Sequence, residues 1–311
     1  MKVKKNIRKL LNYLNSLIVR HEKTKKPRLY MTILAKNEVD VIEEHLKFHK
    51  AMGVDGFIVT DHCSTDGTLE VFERYKKLGW VKELIVENST EFQQVKWVDR
   101  MIRLAKDKYN ADWVINADAD EFWYVENKDL KSTLALSHCN SIKVNIYNVM
   151  PTLSGKFFDS TRVIKGDISK VRHSFELHKF NVYTRQLAKV AHRTRGYQII
   201  EDGNHGVKMH RKSERTSKEI CIYHYSLRGI DHFYRKMVSG GSVLEKTNGL
   251  DRNSGNHWQY FYKVLIKDRG DINYEYSKVV GSRELQSYFS EKGIIVLDDR
   301  VKKILEKISD D

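Results

Sequence analysis

The chain has 311 residues, of which 41% are hydrophobic, and its formal net charge is +14 at pH 7. That apolar fraction is typical of a folded protein with a large core and excludes a disordered chain. The positive charge predicts an anionic partner, such as a nucleotide, an acidic membrane surface, an acidic glycan or a nucleic acid. The sequence has no zinc-finger spacing and no RNP-type aromatic motif, which argues against nucleic acid. Its three cysteines, Cys63, Cys139 and Cys221, are far apart, which favours a reducing cytoplasm over a disulfide framework.

Residues 1–28 form a basic segment with one apolar helical stripe made of Leu10, Leu11, Leu14, Leu17 and Ile18. Such an amphipathic helix can lie on an anionic membrane or dock on its own domain. No apolar run of the sequence approaches the roughly 18 residues that a bilayer span needs. We therefore expect a cytoplasmic protein, peripheral on the inner face of the cell membrane if residues 1–28 bind lipid.

Short apolar runs alternate with amphipathic helical patterns from residue 29 onward. A β-α-β-α-β-α-β alternation of this kind predicts a doubly wound, mostly parallel sheet with right-handed crossovers. Glycines close the first two helices, at Gly53 and Gly79. The predicted strands are residues 29–35, 56–60, 81–86 and the run from Trp113, and the third helix carries its apolar residues between 95 and 105.

Polar side chains follow three of these predicted strands. Asn37 and Glu38 follow the first strand, the loop 61–68 follows the second, and Asp118 with Asp120 follows the fourth. Because ligands bind outside the carboxyl ends of the strands in such sheets, we expect these side chains to share one edge and form a ligand site.

The loop 61–68 allows a structural as well as a functional interpretation. Ser64, Thr65 and Asp66 suit the first turn of a helix, and Gly67 permits a tight turn. Asp61 precedes these capping residues and is therefore the better candidate for a ligand contact.

Asp118 and Asp120 are the strongest candidates for a metal site. In a strand, residues i and i+2 point to the same side, so both carboxylates can face one point. Two close carboxylates repel each other unless a cation lies between them, and a hard divalent ion such as Mn²⁺ or Mg²⁺ suits them. The alternative is an ordinary strand end that leads into a polar loop.

Beyond residue 123 the alternation ends. Strands are predicted at Ile142–Val149, 186–192 and 206–209, and a helix containing Phe233 and Met237 is expected to stop near Gly240. The predicted domains are the helix 1–28, a main domain 29–240 and a helical extension 241–311. The main domain is divided into a nucleotide-binding half, 29–123, and an acceptor half, 124–240.

Several motifs occur in the order found in one enzyme family. They are Ala35-Lys-Asn-Glu38, Glu43-Glu-His-Leu46, the loop 61–68, Asp118 to Phe122, and His224-Tyr225 through Lys236. In these motifs residues 29–240 resemble the family 2-type glycosyltransferases of the GT-A fold, in the branch with Ala-Lys-Asn-Glu and Asp-x-Asp-Glu-Phe. The resemblance implies a GT-A architecture, which is an α/β, Rossmann-like sheet followed by a smaller mixed C-terminal part.

The resemblance also implies roles for individual residues. Asp118 and Asp120 would hold Mn²⁺ or Mg²⁺ against the diphosphate of a nucleotide sugar, where the cation stabilises the leaving group. The third protein ligand in such enzymes is often a histidine, and His205 and His224 both qualify. The donor nucleotide would be bound by residues at the strand ends: Asn37, Glu38, Asp61, Ser64, Asp66 and Asp118.

An inverting glycosyltransferase needs a base that deprotonates the acceptor hydroxyl. Asp202 lies approximately where family 2 enzymes carry this base, and the alternative for it is an acidic turn before Gly203. A retaining enzyme would need no such base. The Gln-x-x-Arg-Trp motif of processive synthases is absent from the sequence, so transfer of a single sugar is expected.

The predicted function is that of a metal-dependent hexosyltransferase, expected to be inverting. It would move one sugar from a nucleotide-sugar donor to a cell-surface glycan or its lipid-linked precursor. Two other hypotheses remain at this stage. One is an Asp-x-Asp phosphotransferase or phosphatase, although its nucleophile normally lies on the first strand rather than the fourth. The other is a non-enzymatic basic module that binds membranes or polyanions.

Overall fold

The computed structural model describes residues 26–89, 93–126, 128–152, 155–246 and 255–310. Nearly all of the predicted N-terminal helix, residues 1–28, therefore lies outside the described residues. Within the described ranges, no helix is both long enough and apolar enough to cross a membrane.

The first half of the chain alternates strands and helices as predicted. The strands are apolar and buried, with every residue of β2 inaccessible to solvent. Each helix buries one stripe and exposes the other, because its apolar residues recur at helical spacing. The elements are β1 (Leu29–Ala35), α1 (Ile42–Ala51), β2 (Gly56–His62), α2 (Thr68–Lys77), β3 (Val81–Glu87), α3 (Gln94–Asp107) and β4 (Trp113–Asp118).

The second half contains shorter strands and then a helical region. The strands are β5 (Glu121–Val125), β6 (Ser141–Asn148), β7 (Arg162–Ile164), β8 (Lys189–Arg193), β9 (Tyr197–Ile200), β10 (Val207–Met209), β11 (Glu214–His224) and β12 (Ile295–Leu297). The helices are α4 (Leu130–Ala135), α5 (Ile230–Lys246), α6 (Asn256–Tyr262), α7 (Ile272–Val280), α8 (Arg283–Glu291) and α9 (Arg300–Asp310).

Eight strands form one sheet in the order β3-β2-β1-β4-β8-β6-β11-β5. The first four are parallel to one another, whereas β8 is antiparallel to both β4 and β6. Strand β11 runs parallel to β6 and antiparallel to β5. The predicted fold class, an α/β GT-A sheet with a smaller mixed part, is confirmed.

The sheet register brings the polar strand ends to one level. Ala35 at the end of β1 pairs with Asp61 on β2, and Leu34 pairs with Asp118 on β4. On the other side of the sheet, His224 pairs with Glu121 on β5 and with Asn148 on β6. Residues far apart in sequence thus meet along one edge.

Two details differ from the sequence predictions. Strand β4 ends at Asp118, and Asp120 lies in the turn before β5, so the two acids are not i and i+2 of one strand. Helix α5 continues through Gly240 and Gly241 instead of stopping there. The two glycines are required for packing: a Cβ at Gly240 would lie 2.6 Å from the ring of Trp258, and one at Gly241 would lie 2.2 Å from Cβ of Tyr262.

Side chains from both sides of residue 240 share one hydrophobic core. Phe233 and Met237 of α5 cluster with Phe261 of α6 and Phe289 of α8. A second cluster lies against the sheet and includes α1, α2 and Val301 of α9. The proposed boundary between domains 29–240 and 241–311 stays a prediction.

Candidate functional site

A cavity of about 900 Å³ opens at the carboxyl ends of β1, β2 and β4. Much of the remaining wall is formed by the segment 179–186, by α5 and by α6. Seven of the residues that the sequence singles out line this cavity: Asn37, Glu38, Asp66, Asp118, Asp120, His205 and His224.

Asp66 connects the ends of β1 and β2. Its Oδ2 accepts the Val39 amide at 3.0 Å, and its Oδ1 accepts both the amide and the hydroxyl of Thr68, at 3.0 and 2.6 Å. Asn37 has a positive φ of 56°, a conformation that asparagine tolerates. Its Oδ1 accepts the Thr65 amide at 2.8 Å. These bonds hold the two loops in one arrangement.

Asp61 and Ser64 support this loop and do not line the cavity. Oδ2 of Asp61 accepts the Ser64 amide at 3.1 Å, and Oγ of Ser64 accepts the Asn37 amide at 3.0 Å. Oδ1 of Asp61 is buried and has no hydrogen-bond partner among the described residues. A buried acceptor without a partner is costly, so a ligand donor near this loop would be favourable.

Asp118 is held by a lysine that the sequence does not single out. Nζ of Lys189 on β8 lies 2.7 Å from Oδ2 of Asp118 and 3.1 Å from Oε1 of Glu121. Lys189 and Glu121 are buried, whereas Asp118 is half-exposed to the cavity. Burial raises the pKa of Glu121 to about 7, although Lys189 opposes this shift. A single lysine at the start of a short, mostly buried strand carries no local signal of such a role.

Asp120 is buried among cationic groups. Its Oδ2 lies 2.6 Å from Nζ of Lys236 and 3.7 Å from Nη1 of Arg228, and its Oδ1 lies 3.4 Å from Nε2 of His224. Burial opposes ionisation, but Lys236, His224 and Arg228 outweigh it and hold the pKa of Asp120 well below its usual range. Asp120 is therefore an anion that faces the cavity.

The orientation of His224 is determined by Asn148. The side-chain amide of Asn148 donates to the carbonyl oxygen of Val182 at 2.7 Å, so its Oδ1 is the atom that lies 3.0 Å from Nδ1 of His224. Nδ1 therefore carries a proton. Nε2 faces the carboxylate of Asp120: a protonated imidazole pairs with this carboxylate directly, whereas the lone pair of a neutral imidazole can bind a cation that lies between the two groups.

Arg228 joins Glu38 and Asp40, which line the cavity after β1, to the cluster around Asp120. It is buried, it is ion-paired with Glu38, and its Nε lies 2.7 Å from Oδ2 of Asp40. Burial raises the pKa of Glu38, although Arg228 and Lys236 oppose this shift. The sequence places Arg228 and Lys236 in a motif but assigns them no partners.

The charges of this cluster do not balance. Five carboxylates, those of Glu38, Asp40, Asp118, Asp120 and Glu121, contact three cations, which are Lys189, Arg228 and Lys236. Carboxylates therefore outnumber the lysine and arginine side chains, although burial raises the pKa of both Glu38 and Glu121 and so opposes their ionisation. A divalent cation would reduce the repulsion among these carboxylates, and the imidazole and carboxylates are donor groups that Mn²⁺ accepts.

The other two candidates lie apart from this cluster. Nδ1 of His205 lies 3.2 Å from the carbonyl oxygen of Ala188, and burial, together with Lys189, lowers the pKa of His205. Asp202 is exposed and does not line the cavity, although its neighbour Gly203 does. In the described part of the chain, no group of three or more histidines, cysteines or acids is arranged so that it could hold a metal.

Comparisons with known proteins identify the enzyme class. A sequence profile described as glycosyltransferase family 92 matches residues 31–275. The chain belongs to glycosyltransferase family 92. This family 92 member is therefore a glycosyltransferase, as predicted from the motifs, and the phosphotransferase and non-enzymatic hypotheses are set aside. The finer assignment to family 2 is not confirmed.

Two solved structures are similar to this family 92 chain at a low level. TarS of S. aureus has 14% identity and a TM-score of 0.35, over 79% of this chain and 44% of TarS. Glucosyl-3-phosphoglycerate synthase of Mycobacterium tuberculosis, solved with Mn²⁺, UDP and its product, has 18% identity and a TM-score of 0.29, over 41% of this chain and 47% of the synthase. The chain thus spans less than half the length of these proteins. A search of curated proteins found no match.

Proposed function

We propose that this glycosyltransferase moves one sugar from a nucleotide-sugar donor to a cell-surface glycan or a lipid-linked glycan precursor, with the help of Mn²⁺ or Mg²⁺ and with inversion at the anomeric carbon. The observation that carries the proposal is the cluster around Asp120. Asp118, Asp120 and His224 all line a cavity of about 900 Å³ at the end of the sheet, which is large enough for a nucleotide sugar.

The donor nucleotide would bind along the loops after β1 and β2. Asn37, Glu38 and Asp66 line the cavity there, and Asp61 with Ser64 keeps the loop in shape. Nucleobases and riboses are recognised by a few well-placed polar groups on a rigid scaffold. The bonds from Asp66 and Asn37 provide such a scaffold.

The metal would be held by Asp118, Asp120 and His224, with His205 as a further candidate; because these side chains are not arranged as a metal site in the described chain, they would have to reorient when the metal binds. The surplus of carboxylates over lysine and arginine side chains, and the position of Nε2 of His224 opposite Asp120, both support a divalent cation here. When bound, the cation supplies Lewis-acid stabilisation of the departing nucleoside diphosphate. Asn148 keeps Nε2 of His224 turned toward the site, and Lys189 and Lys236 form ion pairs with the two carboxylates.

Lys236 and Arg228 would also assist the leaving group. Both lie within 4 Å of Oδ2 of Asp120, at 2.6 and 3.7 Å. Fixed positive charges beside a developing anion stabilise the transition state more than the ground state. We infer that these two side chains orient the diphosphate as it departs.

Asp202 is our candidate for the base that takes the proton of the acceptor hydroxyl. Its side chain is exposed, and the next residue, Gly203, lines the cavity. His205 is the competing candidate, because Nδ1 donates to Ala188 and Nε2 keeps its lone pair. A base of this kind contributes about 10²- to 10⁴-fold to the rate. Comparing Asp202→Asn with His205→Gln separates the two, and the anomeric configuration of the product, read by NMR, tests inversion.

The central test is donor turnover by the full chain. A thermal-shift panel of UDP-, GDP- and CDP-sugars with Mn²⁺ would identify the donor, and release of the nucleoside diphosphate would then be followed. We expect turnover that requires the metal and is lost in Asp118→Ala and Asp120→Ala. Asp299→Asn, which removes a half-exposed carboxylate immediately before α9, serves as the matched control. Full activity in both cavity variants would refute the proposal.

We also propose that residues 1–28 keep the enzyme at the inner face of the cell membrane, near acceptors that are anchored there. The support is their basic and amphipathic sequence. Sedimentation with anionic vesicles should fall when these residues are deleted, while turnover of a water-soluble donor persists.

A further inference from the structure

The two sides of the cavity differ in charge. Every carboxylate that lines it in the described chain comes from residues 38–120: Glu38, Asp40, Asp66, Asp118 and Asp120. The far wall, which we define as the lining residues of segment 179–186, α5, α6 and Val279, contains no aspartate or glutamate among the described residues. Its charged groups are cationic: Lys179, Arg235 and Lys236.

Two of these cations are not used by the site described above. Lys236 is ion-paired with Asp120. Lys179 and Arg235 also line the cavity, but neither forms an ion pair with a carboxylate of the described residues. Nζ of Lys179 lies 4.9 Å from the ring centroids of both Phe180 and Tyr260. Packing over two aromatic rings restrains this lysine at the cavity wall.

Aromatic rings lie beside these cations. Phe180 and Trp258 line the same wall, and Trp258 packs so closely on α5 that a Cβ at Gly240 would lie 2.6 Å from its ring. A flat apolar ring next to polar groups is a surface on which the C–H face of a sugar ring can pack. Trp258 can lie this close to α5 only because residue 240 is a glycine, which has no Cβ.

If the nucleotide occupies the strand ends and the diphosphate lies at Asp118 and Asp120, the far wall is the part of the cavity that is left for the acceptor. We propose that this wall binds an acidic acceptor, in which a carboxylate or phosphate group contacts Lys179 and Arg235 while the sugar packs on Trp258 and Phe180. This inference rests on the proposed function of the same cavity. A carboxylate and a phosphate are both oxyanions that Lys179 and Arg235 can bind, and the experiment below distinguishes them.

The experiment measures sugar transfer to paired acceptors by the full-length enzyme with its donor. p-Nitrophenyl glucuronide and galacturonide are compared with the corresponding glucoside and galactoside, and methyl glucoside 6-phosphate is compared with methyl glucoside. We expect a KM about tenfold lower for the acidic member of the preferred pair, the magnitude of one or two charge-assisted contacts. The better of the two acidic classes identifies the group as carboxylate or phosphate.

The variant Lys179→Gln/Arg235→Gln should bring the KM ratio of the acidic and neutral acceptors close to one. The matched control is Lys208→Gln/Arg215→Gln, which removes the same two charges from exposed residues that do not line the cavity. It should keep the preference of the wild type. Retention of the preference by the cavity variant would overturn the assignment of these two residues.

The two proposals fail in different ways. If the wild type neither transfers a sugar nor hydrolyses any donor, the proposed function itself is wrong. If it turns over a donor but uses neutral acceptors as well as acidic ones, only the acidic acceptor is excluded. A rise in the KM of the donor in Lys179→Gln/Arg235→Gln, with no change in acceptor preference, would assign these residues to the donor and overturn the inference.

Discussion

The strand-end wall of the cavity and the far wall are built on different principles. The strand-end wall consists mainly of residues at or directly after the ends of β1, β2 and β4. The register of the paired strands therefore sets the positions of these residues along the strand direction. The far wall comes from a loop and two helices that are more than fifty residues away from β4 in the sequence. One wall is acidic and the other basic, and they meet where Asp120 contacts Lys236. An acidic wall suits a metal, and a basic wall suits an anionic substrate.

The contacts between the walls make each dependent on the other. Arg228 contacts Asp40 and Glu38, which lie 188 and 190 positions earlier in the sequence. Lys236 contacts Asp120, which lies 116 positions earlier. Removing one member of such a buried pair leaves the other charge without compensation. Substitutions at this junction are therefore the most severe ways to disturb the site.

The largest expected effect is that of Asp120→Asn, which removes the anion at the junction. The rate of sugar transfer should fall by about a thousandfold, because both the metal and Lys236 would lose their carboxylate partner. The measurement is the rate of nucleoside diphosphate release with saturating Mn²⁺. Glu126→Gln, an exposed acid of the same region, should act like the wild type, and an Asp120→Asn enzyme within threefold of it would contradict the role of Asp120.

Lys189→Met tests whether the acidic wall needs its own buried cation. Glu121 would be left buried without its partner, and Asp118 would lose a 2.7 Å contact. We expect the free energy of unfolding to fall by about 3 kcal/mol, measured by urea denaturation. Lys143→Met, at an exposed position of neighbouring strand β6, is the comparison and should change stability by less than about 0.5 kcal/mol. Equal stability of the two variants would show that Lys189 is dispensable to the fold.

Asn148→Ala should weaken the metal without removing a proposed ligand. His224 would lose the acceptor that holds Nδ1–H and thereby orients Nε2 toward Asp120. Loss of such a supporting contact typically reduces metal affinity about 10- to 100-fold. The concentration of Mn²⁺ that gives half-maximal activity should rise accordingly, with little change in maximal rate. A lower maximal rate at an unchanged Mn²⁺ requirement would separate His224 from the metal.

The smallest effect is expected on the far wall itself, from Gly240→Ala. The new Cβ would lie 2.6 Å from the Trp258 ring and would push α5 and α6 apart. Overpacking of this kind costs about 1–3 kcal/mol. Ser242→Ala, two residues further along α5, should cost less because its side chain is only half-buried. If the two helices form an acceptor surface, Gly240→Ala should also raise the KM of the acceptor more than that of the donor, and the opposite result would place the donor there.

The strand-end wall was largely predictable from the sequence. Periodic apolar residues located β1 to β4 and the helices between them, and the polar residues after each strand identified Asn37, Glu38 and Asp118 as cavity residues. His205 and His224, which stay predicted metal ligands, also line the cavity. Asp61 and Ser64 instead support the loop, and Asp202 lies outside the lining, because sequence position at a strand end does not determine whether a side chain points into the cavity or beneath it.

By itself, the amino-acid sequence determined the alternation of strands and helices, the edge at which the site lies and the acids at its centre. These features follow from local periodicity and from the short connections of parallel sheets. Only the tertiary structure decided that Lys189, Arg228 and Lys236 neutralise those acids, that α5 passes through Gly240, and that the far wall of the cavity contains no carboxylate among the described residues. The physical reason is distance along the chain: charge pairing and close helix packing join residues whose separation in sequence leaves no local signal.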